Sequence, residues 1–87
     1  MKIRNMQSPN GNDVPNQFII EDGEWEYFQS YDSIIVKQSR TETILDKKYW
    51  NWSKTTSKYR NIFLGETKAE TERKISAGIY RLENLNK

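Results

Sequence analysis

The chain of 87 residues contains neither cysteine nor histidine. Without cysteine, disulfide bonds and thiolate nucleophiles are excluded, and so are zinc sites built from Cys and His. Without histidine, a Ser-His-Asp triad and a histidine general base are excluded as well. Catalysis would have to use carboxylates, Lys, Tyr or Ser, and no arrangement of them typical of an active site stands out. We therefore expect a protein that is not an enzyme and has no catalytic residues, no metal site and no cofactor.

Long apolar runs are also missing. No segment approaches the ~18–20 apolar residues of a membrane-spanning helix, and no signal-peptide pattern opens the chain. We therefore expect a cytoplasmic protein without a membrane partner, in the host-cell cytoplasm if the protein is viral. A chain this short buries only roughly 60–65% of its unfolded surface, so its core must be thin. Three Trp, five Tyr and three Phe can anchor such a core.

The net charge of +2 is unevenly distributed along the chain. Residues 1–46 hold four Lys/Arg and eight Asp/Glu, a net charge of −4, whereas residues 47–87 hold ten and four, a net charge of +6. Such a split often separates two faces with different partners. The simpler interpretation, which we favour, is that the two halves mix in space and their charges pair across the fold.

Residues 1–15 are predicted to be an irregular N-terminal segment because Ser8–Asp13 is a dense cluster of turn residues, although Ile3 could add a short edge strand. Residues 16–87 are predicted to form a single α+β domain. Short stretches rich in apolar, aromatic or β-branched residues follow, separated by turns, and they predict an antiparallel meander. These stretches are Asn16–Glu21, Glu24–Gln29, Ile34–Val36 and Glu42–Leu45. Between the first two, Asp22–Gly23 predicts a type I′ hairpin turn.

The period of the pattern changes in the C-terminal half. Tyr59, Ile62 and Phe63 have the spacing of one helical face, with Gly65 as a natural residue to end the helix. A capping box at Thr67–Glu70 begins a second helix, and Gly78 ends it. Residues 79–85 alternate weakly and predict a last strand. The predicted fold class is α+β, an antiparallel meander of four to five short strands with two short helices in the C-terminal half.

A basic and aromatic segment between the predicted fourth strand and first helix is the main candidate binding surface. Its candidate residues are Lys47, Lys48, Trp50, Trp52, Lys54, Lys58 and Arg60. Bases of single-stranded nucleic acid stack on such rings while cations follow the phosphates. The hydroxyl residues within 53–57 could also hold an anion at the helix N-terminus. The simpler interpretations are that one hydroxyl caps the helix and that at least one tryptophan belongs to the core.

The turn between the second and third predicted strands is a secondary candidate contact loop. It consists of Gln29, Ser30, Tyr31 and Asp32. The alternative, which we favour, is that these side chains hydrogen-bond the backbone of the turn. Acidic residues cluster nearby, at Glu21, Asp22, Glu24, Glu26 and Asp32. Their spacing matches no metal-binding loop, so we interpret them as a solvated hairpin face.

Several motifs together resemble a family of small uncharacterised proteins of bacteriophages, prophages and mobile elements. The resemblance covers about residues 14–86, and its motifs are Asn16–Ile20, Phe28–Val36, Ser53–Arg60, Phe63–Gly65 and Glu70–Gly78. It implies a setting and no activity, because the family has no established one. Proteins of this size and origin often bind host macromolecules, including the nucleases of defence systems. This chain departs from the family pattern at residues 49–52, Tyr-Trp-Asn-Trp, where the resemblance leads us to expect fewer aromatic residues.

Three hypotheses of function follow. The first is a non-enzymatic, phage-type binding protein that engages a host macromolecule, above all a host protein, for example as an anti-CRISPR-like inhibitor of a defence nuclease. The second is a nucleic-acid-binding protein that uses the basic and aromatic surface of residues 47–60. The third is a structural or assembly protein that forms homo-oligomers through an edge strand. The sequence leaves the oligomeric state open.

Overall fold

The computed structural model describes residues 1–86, which form one six-stranded sheet and two helices. The strands are β1 (Lys2–Gln7), β2 (Asp13–Asp22), β3 (Trp25–Ser30), β4 (Ser33–Gln38), β5 (Thr43–Asp46) and β6 (Arg81–Glu83), and the helices are α1 (Lys54–Leu64) and α2 (Lys68–Ser76). The strands lie in the sheet in chain order. The α+β class and the two helices in the C-terminal half are confirmed.

The predicted number of strands and the wholly antiparallel pairing were wrong. Strands β1 to β5 pair as antiparallel neighbours, but β5 and β6 run parallel. Parallel neighbours cannot be joined by a tight turn, because the chain must first return to the starting end of the sheet. The two helices make that return between β5 and β6. Neither helix in residues 1–86 is long and apolar enough to cross a membrane.

The N-terminal segment, expected to be irregular, contains β1 and the first three residues of β2. The predicted turn cluster does form, with the Ser8 N–H donating to the Asn12 carbonyl oxygen at 2.8 Å. It connects two strands rather than leading out of a tail. The register of the two strands shifts between Asn5 and Gln7, and Pro15 lies within that irregularity. A proline is tolerated there because a bulge needs no ladder hydrogen bond from its nitrogen.

The turn between β2 and β3 lies one residue later than the predicted Asp22–Gly23 turn. Because Asp22 pairs with Trp25, its two turn residues are Gly23 and Glu24. Of these, only Gly23 has a positive φ, at 65°. That pattern is typical of a type II′ turn, which places glycine first, rather than of type I′.

The core lies between the sheet and the helices. Its buried residues are Met6, Phe28, Ile35, Val36 and Leu45. On the helical side, Tyr59 and Phe63 pack against this cluster, and the Phe63 ring stacks on Phe28 with centroids 5.8 Å apart. The third residue of the predicted helical face, Ile62, is instead 49% exposed.

Helix α2 begins at the predicted capping box, and α1 begins after Ser53, one of the hydroxyl residues that the sequence left open as its cap. The Ser53 side chain accepts a hydrogen bond from the Thr56 N–H, and Thr67 and Glu70 form the complete capping box. Helix α1 ends at Gly65, whose φ of 69° permits its N–H to bond the Asn61 carbonyl. The Ser53 cap therefore sets the residue at which the segment after β5 becomes helical.

Replacing Phe63 with Ala is expected to lower the free energy of unfolding by about 3 kcal/mol, because the ring fills space against Phe28. The neighbouring variant Ile62→Ala is the matched control and should cost less than about 1 kcal/mol, since Ile62 faces solvent. Urea unfolding followed by circular dichroism measures both. Equal losses for the two variants would contradict this packing of α1.

Candidate functional site

A buried carboxylate positions residues 47–52, the aromatic segment that follows β5. Asp46 is 1% exposed, and its Oδ2 accepts hydrogen bonds from the backbone N–H groups of Lys48, at 3.1 Å, and Tyr49, at 2.8 Å. Its Oδ1 accepts from the Leu85 N–H at 2.8 Å. Burial alone would raise the pKa of Asp46, but these hydrogen bonds outweigh it and hold the pKa below its usual value. The ionised side chain thus ties residues 47–49 to the C-terminal segment.

Arg60 is not part of a surface, which corrects its assignment to the candidate binding surface. It is fully buried, its guanidinium lies 5.2 Å from the centroid of the Trp50 ring, and its Nη1 donates to the Trp50 carbonyl oxygen. Nη2 donates to the Asn61 Oδ1 at 2.9 Å. Burial lowers the pKa of Arg60, and the nearby charge of Glu66 partly opposes that. The position follows from helical spacing, because Arg60 lies one turn after Thr56, which is also buried.

The two tryptophans of the segment have different environments. Trp50 packs against the core cluster beneath Arg60, whereas Trp52 is 62% exposed. The Trp52 ring meets the Tyr49 ring edge-to-face, with centroids 4.9 Å apart and planes 67° apart. Trp52 is therefore the tryptophan of this pair that is available to a partner.

The turn between β3 and β4 holds a tyrosine in a conformation that favours glycine. Ser30 pairs with Ser33, so Tyr31 is the first of two turn residues, the position that Gly23 occupies in the preceding hairpin. Its φ is 56°, which costs an L-residue roughly 1–2 kcal/mol. Its N–H donates to the carbonyl oxygen of Asn16, at 2.7 Å, and its own carbonyl accepts from the Gln29 side chain. Tyr31 is nevertheless 50% exposed, so this residue does not fill the core.

The strain extends to the strand beside this turn. Apart from glycines, Asn16 and Tyr31 are the two residues with positive φ in the described part of the chain, and the φ of Asn16 is 66°. The Asn16 carbonyl accepts the hydrogen bond from the Tyr31 N–H. The next residue, Gln17, is fully buried, and neither its amide oxygen nor its amide nitrogen has a hydrogen-bond partner within residues 1–86. Gln17 lies opposite Ser30 on the neighbouring strand. Sequence reasoning missed Asn16 and Gln17, although two amides at the start of an apolar strand were a usable signal.

A cleft of about 410 Å³ lies where the turn and the aromatic segment meet. Its lining consists of aromatic and hydroxyl residues, namely Ser30, Tyr31, Ser33, Tyr49, Trp52, Ser53, Thr55 and Thr56. At its base the buried hydroxyls of Ser30 and Thr56 share a hydrogen bond of 2.9 Å. We call this site the aromatic cleft. It joins the predicted contact loop to Trp52 and the predicted helix start, which the sequence had placed in a different candidate surface from the loop.

The contact loop itself divides into two parts. Gln29 hydrogen-bonds the turn backbone and Ser30 is buried, which agrees with the favoured interpretation for those two residues. Tyr31 and Asp32 remain exposed. The loop therefore contributes Tyr31 as its main accessible ring.

The predicted lysines are exposed but do not line the aromatic cleft. They are Lys47 and Lys48 before α1, and Lys54 and Lys58 on it. The Lys48 ammonium lies 5.2 Å from the Tyr49 ring centroid, and the Lys58 ammonium lies 5.3 Å from that of Tyr59. These two cations contact rings of their own chain.

The acidic residues of the β2–β3 hairpin form no second candidate site within residues 1–86. Glu21 pairs with Arg4, and no group of three or more carboxylates in residues 1–86 is placed to hold a metal ion. The expected pairing between the two halves of the chain is sparse. Of four ion pairs within the described residues, only Arg81–Glu42 joins the halves, while Arg4–Glu21, Lys74–Glu66 and Arg81–Glu83 lie within one half.

The Asp46→Asn variant is expected to lose about 2–3 kcal/mol near pH 6, because an uncharged amide replaces a carboxylate that accepts three hydrogen bonds. A depressed folded-state pKa stabilises the fold above the unfolded-state value of about 4, and this contribution is lost as the pH falls through the folded-state pKa. The difference between wild type and variant should therefore shrink below about pH 4. Urea unfolding at a series of pH values measures it. A difference that stays constant down to about pH 2 would show that Asp46 is not the titrating group.

The Tyr31→Gly variant should be as stable as the wild type or more stable, by up to about 1 kcal/mol. Glycine removes the cost of the positive φ, and its greater freedom in the unfolded chain offsets part of that gain. The control is Gly23→Tyr at the same position of the other hairpin, which should be destabilising by about 1–2 kcal/mol. Thermal unfolding compares the variants. A large loss for Tyr31→Gly would mean that the ring stabilises the fold.

Comparison with known proteins identifies a family. No curated protein and no solved structure matches the chain. Residues 1–78, from β1 to the end of α2, match a family of unknown function, DUF8033. The match includes every residue of the aromatic cleft. The chain therefore belongs to the DUF8033 family.

Proposed function

We propose that the protein is a non-catalytic binding protein that engages a host protein through the aromatic cleft. The observation that carries the proposal is the exposed Tyr31 on a strained turn, beside the exposed Trp52. Local strain persists where the surroundings enforce it, and it concentrates at binding and catalytic sites. Tyr and Trp are among the residues that dominate the energetics of protein interfaces.

The host as the source of the partner is supported by the resemblance to proteins of bacteriophages, prophages and mobile elements. Small proteins of such elements often bind host macromolecules, and they would do so in the host-cell cytoplasm. Inhibition of a defence nuclease, in the manner of anti-CRISPR proteins, is the action that we favour within this class. It requires only a stable scaffold that presents a few well-placed aromatic residues.

Nucleic-acid binding is the alternative, and it draws on the exposed lysines between residues 47 and 58. Three observations favour a protein partner instead. Lys48 contacts a tyrosine ring of its own chain, and Arg60 is buried against Trp50. In addition, none of the cations in residues 1–86 lines the aromatic cleft, where stacked bases would bring their phosphates.

Assembly of identical copies through an edge strand is the second alternative. Strand β1 has a neighbour on one side only, and its exposed Ile3 would be covered by a further strand. Lys2 and Arg4 on the same strand oppose such pairing, because charges on an edge are a common protection against strand addition. We therefore place this alternative last.

The Trp52→Ala variant tests the proposal. Purified wild type and variant are immobilised, and the host protein that the wild type retains from host lysate is then measured by titration against both. We expect Trp52→Ala to weaken binding by about 2 kcal/mol, or roughly 30-fold. Ile79→Ala is the matched control, because Ile79 is 64% exposed and lies outside the cleft. Equal binding by Trp52→Ala and wild type would refute the aromatic cleft as the contact surface.

Two measurements on the wild type separate the alternatives. Binding to mixed single-stranded oligonucleotides at low salt that falls steeply at high salt would favour the nucleic-acid alternative. Sedimentation as a ring or filament, with no partner from the lysate, would favour the assembly alternative. A monomer that binds no oligonucleotide at low salt leaves the protein-binding proposal in place.

A further inference from the structure

The chemistry of the aromatic cleft restricts the part of a partner that can enter it. The lining has three aromatic rings and seven hydroxyl groups, five of them from Ser and Thr and two from Tyr, and no charged side chain of residues 1–86 belongs to it. The first turn of α1 lies at this site, and its first N–H groups have no carbonyl partner within the helix, although the Ser53 side chain already accepts from the Thr56 N–H. Indole and backbone N–H groups only donate hydrogen bonds, whereas hydroxyls donate or accept, and those of Ser30, Ser53 and Thr56 already bond one another. The cleft therefore suits an uncharged ligand with apolar rings and many acceptors.

A proline-containing segment in the polyproline II conformation has these properties. Proline carries no N–H, and the carbonyl groups of a polyproline II helix are not used within it, so the segment is rich in acceptors and poor in donors. Its pyrrolidine rings pack into grooves lined by aromatic residues, and the preformed helix loses little entropy on binding. The Tyr49 and Trp52 rings, in edge-to-face contact in the cleft lining, offer aromatic surface for such a ring.

We propose that the aromatic cleft binds an uncharged, proline-containing polyproline II segment of the partner protein. The inference rests on the proposed function, because it specifies which segment of a protein partner the cleft recognises. The uncharged lining complements an uncharged segment, since a charged group would lose water in the cleft without gaining an ion pair. Tyr31 and Trp52 provide the exposed apolar surface on which the pyrrolidine rings lie.

Other peptide conformations fit the cleft less well. A partner strand needs the free backbone groups of a sheet edge, whereas Ser30 and Ser33 at this site are paired with each other in a central hairpin. A partner helix needs a long apolar groove for side chains at successive turns. The cleft, at about 410 Å³, is near the lower end of the range for ligand pockets and takes a few residues.

The test is isothermal titration calorimetry of the whole protein with a blocked peptide in which six prolines are flanked by serine and glycine. Calorimetry is used because removing Trp52 would also remove a fluorescent reporter. A peptide with glycine in place of each proline is the ligand control. We expect saturable binding of the proline peptide only, with an affinity that changes less than about threefold between low and high salt, since no ion pairs form.

Variants locate the binding. Trp52→Ala and Tyr31→Gly should each weaken binding of the proline peptide at least about tenfold. Lys68 and Ile79 lie outside the cleft, so Lys68→Ala and Ile79→Ala should both bind like wild type within about twofold. The glycine variant Tyr31→Gly keeps the turn, so its loss of binding cannot be attributed to misfolding.

Three results would overturn the inference. They are no heat of binding at millimolar proline peptide, equal binding of the glycine peptide, or unchanged affinity of Trp52→Ala. If the proline peptide fails while binding of the host protein still depends on Trp52, the polyproline inference is refuted and the proposed function stands. If host-protein binding does not depend on Trp52, the proposed function fails on its own test, whatever the peptide does.

Discussion

The hydrogen bonds of one buried carboxylate hold the C-terminal half of the structure together. Asp46 ends β5, and from there its two oxygens reach in different directions, one to the backbone of Lys48 and Tyr49 and the other to Leu85. An ionised carboxylate in the interior is costly unless it is hydrogen-bonded, and three N–H donors offset that cost here. The same side chain therefore fixes both the aromatic segment and the residues after the parallel strand β6.

Unusual backbone conformations and a buried amide unpaired among the described residues occur together at the turn between β3 and β4, which forms the wall of the aromatic cleft opposite the segment held by Asp46. Elsewhere the chain places glycine where φ is positive, as at Gly23 and Gly65. Around the turn after β3 it places Asn16 and Tyr31 in that conformation and buries Gln17 without a partner among residues 1–86. Local rules fail in this way where a sequence serves a function as well as stability. That all three lie beside one cleft gives the functional proposal more weight than exposure alone would.

Much of the fold could be predicted from local signals. The central hairpins, the capping box at Thr67 and the packing of Phe63 depend on neighbouring residues, which sequence patterns describe well. The parallel pairing of β6 depends on a strand that is distant in sequence, so no local pattern indicates it. Strand β1 pairs with the next strand along the chain, but its polar sequence carries little strand signal. Arg60 was misassigned because charge normally indicates exposure, whereas here an aromatic ring and backbone carbonyls from another segment surround it.

The sequence predicted that aromatic and hydroxyl residues form candidate contact surfaces, but it did not predict that they line one cleft. Tyr31 and Trp52 belong to a hairpin turn and to a segment after β5, and only the fold brings them together. The join is the buried hydrogen bond between Ser30 and Thr56, which connects the end of β3 to the first turn of α1. Both walls are thus held by fixed elements, one by the hairpin and one by Asp46 and Arg60. A cleft held in this way is formed before a partner arrives, so binding need not spend free energy on ordering it.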